Sequence, residues 1–526
     1  MALRPGHSRE RKWHADPAHG LVAPVPRIRI ALAAAALCLY CFAAWRSVGF
    51  HHPDEYFQTI EFASEKLGRT HAAFLPWEHG HRLRPYLQPA AYAATARALA
   101  AAGASAPSAA MLAFRLGSAL LNLGALLLLW AALARRLPEG RARTWLLAAC
   151  LFTFSLPYLA VRTSSESVSG AFLTAGVAAF LLLEARPVRA GLVAGLLLGL
   201  AFDARYQLGL CVAGFGAWLL LVRRAVRPLL ALAAGVALVA ALGLVVDRWG
   251  YGVWTLTPWN YLRANLIEGR ANAFGTAPFY QYVVDLAATW PPLPALAGLA
   301  VVVFWLRARR DPLTWTTAPL VLGHSALAHK ELRFLFPLAP LAAAMAALLV
   351  LDPALRSSWG PRWRRWARPA AGVLVALNLV WLAGSLALPV MHDLTVQGAL
   401  WDVARRTPGA QVYVIGENAA PFWDFDAHLQ MPYLRPPQWK EERLDGWEEL
   451  EARLGASSGP AWAVSLLTRG PPPAVRARLG LECADAAVPE WATPYVGSDH
   501  IRVRLRGLWR IAGAPIAGAP AAPAAP

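Results

Sequence analysis

Cysteine is scarce in this chain and follows no pattern. Cys38, Cys41, Cys150 and Cys211 fall in apolar runs and Cys483 stands alone, which excludes a legible disulfide framework or zinc spacing. Lysine is scarcer still, so the net charge of +18 is almost wholly arginine. In a soluble chain that excess would point to nucleic acid. Here the arginines sit in short loops between apolar runs, the pattern of membrane topology. A third absence is an A-x-A-like cleavage site. Arg4, Arg9, Arg11, Lys12, Arg27 and Arg29 precede an apolar run from about Ile30, but no such site separates that run from "WRSVGF", so it reads as a retained span. Neither an internal repeat nor polar residues at mid-span are visible, and both would mark a secondary transporter.

What is abundant is hydrocarbon. The chain is 57% hydrophobic with a mean hydropathy of +0.38. Runs such as "GALLLLWAALA" and "ALAAGVALVAALGLVV" predict a polytopic α-helical membrane protein. About eleven transmembrane helices are expected, near 30–48, 109–134, 144–161, 169–185, 190–203, 208–222, 228–246, 293–306, 313–328, 334–351 and 370–390. With a basic cytoplasmic N-terminus (1–29), every second loop should be basic. Arg135, Arg136, Arg141 and Arg143, then Arg186 and Arg189, Arg223, Arg224 and Arg227, Arg307, Arg309 and Arg310, and finally Arg356 to Arg368 all fall on that side. The outer face then holds loops at about 49–108 and 247–292 and the short "AHKELRF". Beyond the transmembrane domain (30–390), residues 396–511 change character. "AQVYVIGEN", "AWAVSLL" and "IRVRLRGLWRI" read as strands and "GWEELEARLG" as a helix, a small outer α/β domain. Residues 512–526 are a low-complexity Ala/Pro tail.

Five outer segments carry polar chemistry. In "HHPDEYFQTIEFASEKLG", Pro53 suits a first helical turn and Gly68 a C-terminal cap. Phe57, Ile60, Ser64 and Leu67 trace one helix face, and Asp54, Gln58, Glu61 and Glu65 an acidic stripe on another. Helix chemistry alone would account for Asp54 and Glu55. "FLPWEHGHRLRPYLQP" adds Trp77, Glu78, His79, His81, Arg82, Arg84 and Tyr86. Rings beside carboxylates and arginines suit a sugar, or equally an interfacial aromatic belt. "AHKELRFLFP" packs His329, Lys330, Glu331 and Arg333 between two apolar runs. Snorkelling explains one cation there but not four ionisable groups in five residues, and the cations suit a lipid-borne phosphate. "DARYQLG" supplies Asp203, Arg205 and Gln207. The segment from Asp247 to Tyr282 has the look of an interfacial binding loop.

Together these segments resemble glycosyltransferase family 22, the mannosyltransferases that build GPI anchors and N-glycan precursors. The matches are HPDE at His52–Glu55 with Gln58, WE at Trp77–Glu78 followed by Arg84-x-Tyr86, "GYG" at Gly250–Gly252, "PWNYLRAN", "GTAPFYQY" and "HKELRFLFPLAPL". Pro85 stands in place of a small polar residue, and Phe279–Tyr280 in place of a Trp–His pair, departures that bear on the acceptor. The resemblance implies a GT-C fold and a polyprenyl- or dolichyl-phosphate sugar donor, mannose first. It also implies inversion of a β-linked donor to an α-linked product, with no cofactor and no metal. It assigns Asp54 as general base, with Glu55 as its backup or a sugar contact. His329, Lys330 and Arg333 become donor phosphate contacts. Gln58, Trp77, Glu78, Arg84, Arg205, Gln207, Asn260 and Glu331 become sugar or acceptor contacts. The partners implied are the lipid-linked donor, a glycan or glycolipid acceptor and membrane lipid, with no nucleic acid. The Ala- and Arg-rich bias points to a bacterial inner membrane with the site facing the periplasm, or to an endoplasmic reticulum membrane and lumenal site in a eukaryote. A GT-C transferase of another sugar in cell-envelope assembly, such as arabinose, is the alternative, and behind it a transporter or flippase for lipid-linked sugars, against which the gathering of polar groups at one face speaks.

Overall fold

The computed structural model describes residues 26–47, 51–72, 75–105, 107–357 and 359–387, and in the C-terminal part 411–415, 440–444, 446–454, 461–465, 471–486 and 507–510. The basic segment 1–25, the tail 512–526 and most of 388–439 lie outside the described residues.

Eleven helices frame the first part: α1 (Arg27–Arg46), α2 (Leu87–Ala101), α3 (Pro107–Ala134), α4 (Arg141–Phe152), α5 (Ser165–Leu182), α6 (Pro187–Ala204), α7 (Val226–Tyr251), α8 (Leu293–Arg307), α9 (Pro312–Ala326), α10 (Ala339–Leu351) and α11 (Pro361–Ala387). Among the described residues, seven helical stretches are long and apolar enough to cross a membrane: α1, α3, α5, α6, α7, α10 with the 3-10 turns that lead into it from Leu332, and α11 from Pro369. The other four expected spans are helical but shorter. α8 and α9 have 15 residues each, about 22 Å of helix against the roughly 30 Å of a hydrocarbon core. The stretch expected as one span at 144–161 is broken into α4 and a short helix, Ser155–Ala160. The break is satisfied from α11, where Asn378 accepts from the Phe154 N–H (2.9 Å) and donates to the Phe152 carbonyl (2.8 Å). That is how backbone can leave the helix at membrane depth without stranding its polar groups. The stretch at 208–222 likewise ends in a π turn, Trp218–Val222.

Close helix approach depends on small residues. A Cβ on Gly191 or Gly195 of α6 would stand 2.2 Å from the Pro228 or Leu232 carbonyl oxygen of α7, so these two positions, four apart, set how near the helices lie. The main core joins α3, α4, α5, α6, α8, α9 and α10 through Leu133, Leu146, Leu173, Leu198, Phe304, Leu313 and Leu341.

The basic loops meet at one end of this bundle. Arg29 pairs with Glu139 (2.9 Å), Arg136 with Asp311 (2.5 Å), Arg223 with Glu184, and the Trp218 indole donates to the Arg310 carbonyl (2.9 Å). α5 runs to that end from the opposite one, where its first turn carries Glu166.

In the C-terminal part five strands, β1 (Gln411–Ile415), β2 (Lys440–Leu444), β3 (Ala461–Ser465), β4 (Glu482–Ala486) and β5 (Gly507–Arg510), form one sheet in the order β2-β1-β3-β5-β4. β1 runs parallel to β2 and β3, and β5 antiparallel to β3 and β4. Helices α12 (Trp447–Leu454) and α13 (Pro473–Leu479) complete it, with Ile415, Leu450 and Ala463 at the centre of the core. β2 and β4 are the two strands that hydrophobic alternation does not announce. They are also the two edges, and "KEERL" and "ECADA" carry the charge that keeps an edge from pairing with another chain.

Candidate active site

The loop after α1 is built differently from the single amphipathic helix expected. A turn of α-helix at Pro53–Glu55 passes into a π turn, Tyr56–Ile60, and then into Glu61–Lys66, ending at Gly68 with φ +70°. The cap is where the sequence puts it, since only the left-handed residue Gly68 lets the Arg69 N–H reach the Ser64 carbonyl (3.0 Å). The stripe is not solvated. Gln58, in the π turn, and Glu61, just after it, are buried, as is Glu55 before it. Glu61 accepts from the Thr70 hydroxyl (2.5 Å), which lies 2.7 Å from Ser64, so this carboxylate closes its own loop.

Glu55 and Asp54 point to different tasks. One Glu55 oxygen accepts from the Thr163 N–H (2.7 Å) and hydroxyl (3.0 Å), and the other from the His51 N–H (2.9 Å). Glu55 is thus a tie between this loop and the entry to α5. Asp54 instead meets Arg333, 279 residues away, at 2.6 Å, and keeps 28% of its side-chain surface exposed. His52 stands 3.6 Å from the same Asp54 oxygen. Burial alone would raise the Asp54 carboxyl, but Arg333, then His52 and Arg84, outweigh it and hold it well below the usual carboxylate range.

Arg333 is the hub. Its guanidinium also bonds Glu331 and, at 3.2 Å, Glu166. Glu166 in turn accepts from Arg205 (2.9 Å), which bonds Ser165 (3.0 Å) and stacks over Phe334 (5.2 Å). Glu331 takes His329 (2.9 Å) as well, and His52 lies 3.7 Å from it. One planar cation facing three carboxylates is a task for arginine and not lysine. The remaining expected phosphate contacts bind backbone: Lys330 donates to the Ala277 carbonyl (2.9 Å) and to that of Leu327, and His329 lies 2.9 Å from the Gly275 carbonyl. These bonds staple "HKELR" to the 247–292 loop.

The two outer loops lock together through further expected residues. Glu78 and Arg84 pair at 2.6 Å, and Arg84 lies over the Tyr261 ring (5.2 Å), whose hydroxyl accepts from Gln207. Asn260 donates to the Arg82 carbonyl (3.3 Å) and Thr255 (2.9 Å). Asp247 accepts from the Tyr86 N–H (2.8 Å) and Thr257 (2.5 Å), and the Tyr251 hydroxyl donates to the Arg84 carbonyl (2.7 Å). A Cβ on Gly250 would fall 2.2 Å from the Tyr86 ring, so the first glycine of "GYG" makes room for the tyrosine of Arg84-x-Tyr86. Trp77 stands apart on the rim, stacked on Phe274 (6.4 Å). Gln58 is buried beneath the site and not at its surface.

Residues 30–406 match the Alg9-like mannosyltransferase family. The chain belongs to that family. It is similar to GPI mannosyltransferase 3 of Yarrowia lipolytica, at 30% identity over 336 residues covering 62% of this chain and 63% of that one. It is also similar to GPI alpha-1,2-mannosyltransferase 3 of Xenopus laevis, at 26% over 352 residues covering 62% and 59%. The chain thus spans about three fifths of the length of these curated relatives. Among solved structures it is similar to ArnT from Cupriavidus metallidurans in the apo state, with a TM-score of 0.49 and 15% identity over 91% of this chain and 97% of that one. This family member is an integral membrane protein, and Asp54, Glu331 and Arg333 come from two of the segments that carry the resemblance.

Glu166 and Asp247 are the site residues that sequence reasoning missed. Glu166 follows the N-cap Ser164, which accepts from the Ser167 N–H (3.3 Å). An acid in the first turn of a capped helix has a complete local explanation, and that hides its long-range one. Asp247 ends α7 as a lone acid beside Arg248 and reads as an ordinary span boundary.

Proposed function

We propose that this chain is an inverting GT-C glycosyltransferase that moves mannose from a polyprenyl-phosphate donor to an acceptor hydroxyl at the outer, periplasmic face of the membrane. The observation that carries the reading is the Asp54–Arg333 pair, which joins two family motifs across the whole transmembrane domain at a part-exposed, ionised carboxylate. In the proposed step the acceptor oxygen bonds to the sugar's C1 as the bond from C1 to the phosphate oxygen breaks, and the acceptor's proton passes to Asp54. A carboxylate held ionised is a weak base. It suits a transition state of oxocarbenium character, in which the sugar has gained positive charge before the proton moves. The departing phosphate already carries charge, so His329, Lys330 and Arg333 can receive it without a metal. Arg333 then has two duties, orienting Asp54 before transfer and meeting phosphate during it.

The relatives' names fit a mannosyl donor. The test is transfer in membranes containing the full chain, supplied with radiolabelled polyprenyl-phosphate mannose. Label should leave the donor for a glycan or glycolipid with an α linkage. Transfer from the arabinose donor and not the mannose donor would move the reading to the alternative sugar, and consumption of neither would overturn it.

A further inference from the structure

The two outer loops treat their apolar residues in opposite ways. Among the described residues of 51–105, Trp77 is the one large hydrophobic side chain that is exposed. Between Val253 and Val284 twelve are exposed. Exposure is therefore not what this fold does with loops in general. It is also patterned. In the helical stretch Thr257–Ile267, the residues Trp259, Leu262, Leu266 and Ile267 share one face and are exposed, while Thr257 and Ala264 are buried and Tyr261 meets Gln207 and Arg84. The helix Gln281–Ala288 repeats the arrangement, with Tyr282 buried and Val283 exposed (69%). A loop helix in water turns its polar face outward. These two turn theirs toward the protein. The loop's one acid, Glu268, pairs with both of its arginines, Arg263 and Arg270, at 2.9 Å.

We propose that residues 253–284 lie in the membrane–water boundary on the side of the candidate site, with their apolar face immersed in the lipid leaflet. Continuity picks lipid over a protein partner. α7, a long apolar helix with 22% of its apolar window buried, exposes Leu238, Leu242, Val245 and Trp249, and that stripe runs directly into Trp254 and Leu256. Tryptophans at 249, 254 and 259 beside arginines are what the boundary favours. Lipid beneath this segment presses its inner face, Tyr261 included, onto the site. The proposal does not depend on which sugar is transferred.

The test places single cysteines in the full-length chain after its five native cysteines are replaced. Ile267→Cys, Phe279→Cys and Val283→Cys each carry an environment-sensitive fluorophore in phosphatidylcholine vesicles at low protein-to-lipid ratio. Leu242→Cys serves as the lipid reference and Glu448→Cys, exposed in α12, as the water reference. Lipid spin-labelled near the headgroup should quench the three loop positions severalfold more than 448, while aqueous iodide quenches them severalfold less. Iodide quenching equal to that at 448 would overturn the proposal in favour of a water-facing loop. Protection from both quenchers would overturn it in favour of a second copy or another protein. Three positions guard against one variant failing to insert.

Discussion

At opposite ends of the helical bundle, two glutamates each hold two arginines. Glu139, in the loop after α3, pairs with Arg29 and Arg143 at the basic end of the bundle, with 62% of its side chain exposed. Glu166, opening α5, pairs with Arg205 and Arg333 at the other end, and all three side chains are nearly fully buried. At the basic end the pairs are local staples between loops whose charge sets topology. At the site end they are one network: Glu166 fixes Arg333, Arg333 fixes Asp54, and the arginines have no water to turn to. The same pairing is worth little in the first setting and is costly to break in the second. Counting arginines locates the membrane. Asking what each one faces locates the chemistry.

The largest effect should come where the network ends on the reacting carboxylate. Asp54→Asn keeps the shape and a contact to Arg333 but cannot take a proton, and transfer per inserted molecule should fall by about 10²–10⁴ with donor binding retained. Turnover within a factor of a few of the parent would remove Asp54 as the base. The pH profile sharpens this. Asp54 is depressed, so its charge and the stability it contributes are present above the unfolded value and are lost only as pH falls through the lower folded one. Asp54 therefore sets no acid limb near neutrality in the parent. Arg333→Gln removes the main cause of the depression, so the acid limb of the residual activity should move to higher pH. An unmoved limb would mean that another group titrates there.

Glu166→Gln comes next. It leaves two buried guanidiniums sharing fewer charges, and loss of one partner from a buried ion network typically costs about 3–5 kcal/mol. Thermal unfolding in detergent should show a large fall in midpoint, and Arg205→Met in the same chain should recover part of it by removing one stranded cation. Gly250→Ala should cost about 1–3 kcal/mol by driving a methyl group into the Tyr86 ring. Its signature is faster proteolysis between the two outer loops, and wild-type resistance there would show that the contact does not lock them.

How much of this was legible depended on whether a residue's local explanation was complete. The long apolar runs and the arginine loops could be read directly, since hydrocarbon length and charge asymmetry are one-dimensional properties. The shorter helices α8 and α9 and the break at Thr153 could not, because Asn378 satisfies that break from 226 residues away. Glu331 and Arg333 stand out in the sequence because clustered charge beside apolar runs has no cheap local reading, whereas Asp54 has one in helix chemistry and stands out through the HPDE resemblance. Their mutual distances do not, and the separate duty of Glu55 emerges only with Thr163 in place. Glu166 was masked by a good N-cap. The edge strands β2 and β4 were masked by the charge that protects them.

The smallest effect tests the comparison most directly, because it repeats the chemistry of Glu166→Gln at the other end. Glu139→Gln also removes a carboxylate from between two arginines. Arg29 there keeps the Thr144 hydroxyl (3.3 Å) and the Gly140 carbonyl (3.1 Å), and Arg143 keeps the Leu137 carbonyl (3.0 Å). Water reaches the exposed carboxylate, so the pair gains little over solvated ions, and the change should cost under about 1 kcal/mol and shrink further in high salt. The two Glu→Gln variants, melted side by side at low and high salt, should differ severalfold in their loss of stability, with only the Glu139 variant sensitive to salt. Equal losses would mean that burial does not separate the two ends. The site network would then be an ordinary set of staples, and Arg333 would hold the fold without holding Asp54 for chemistry.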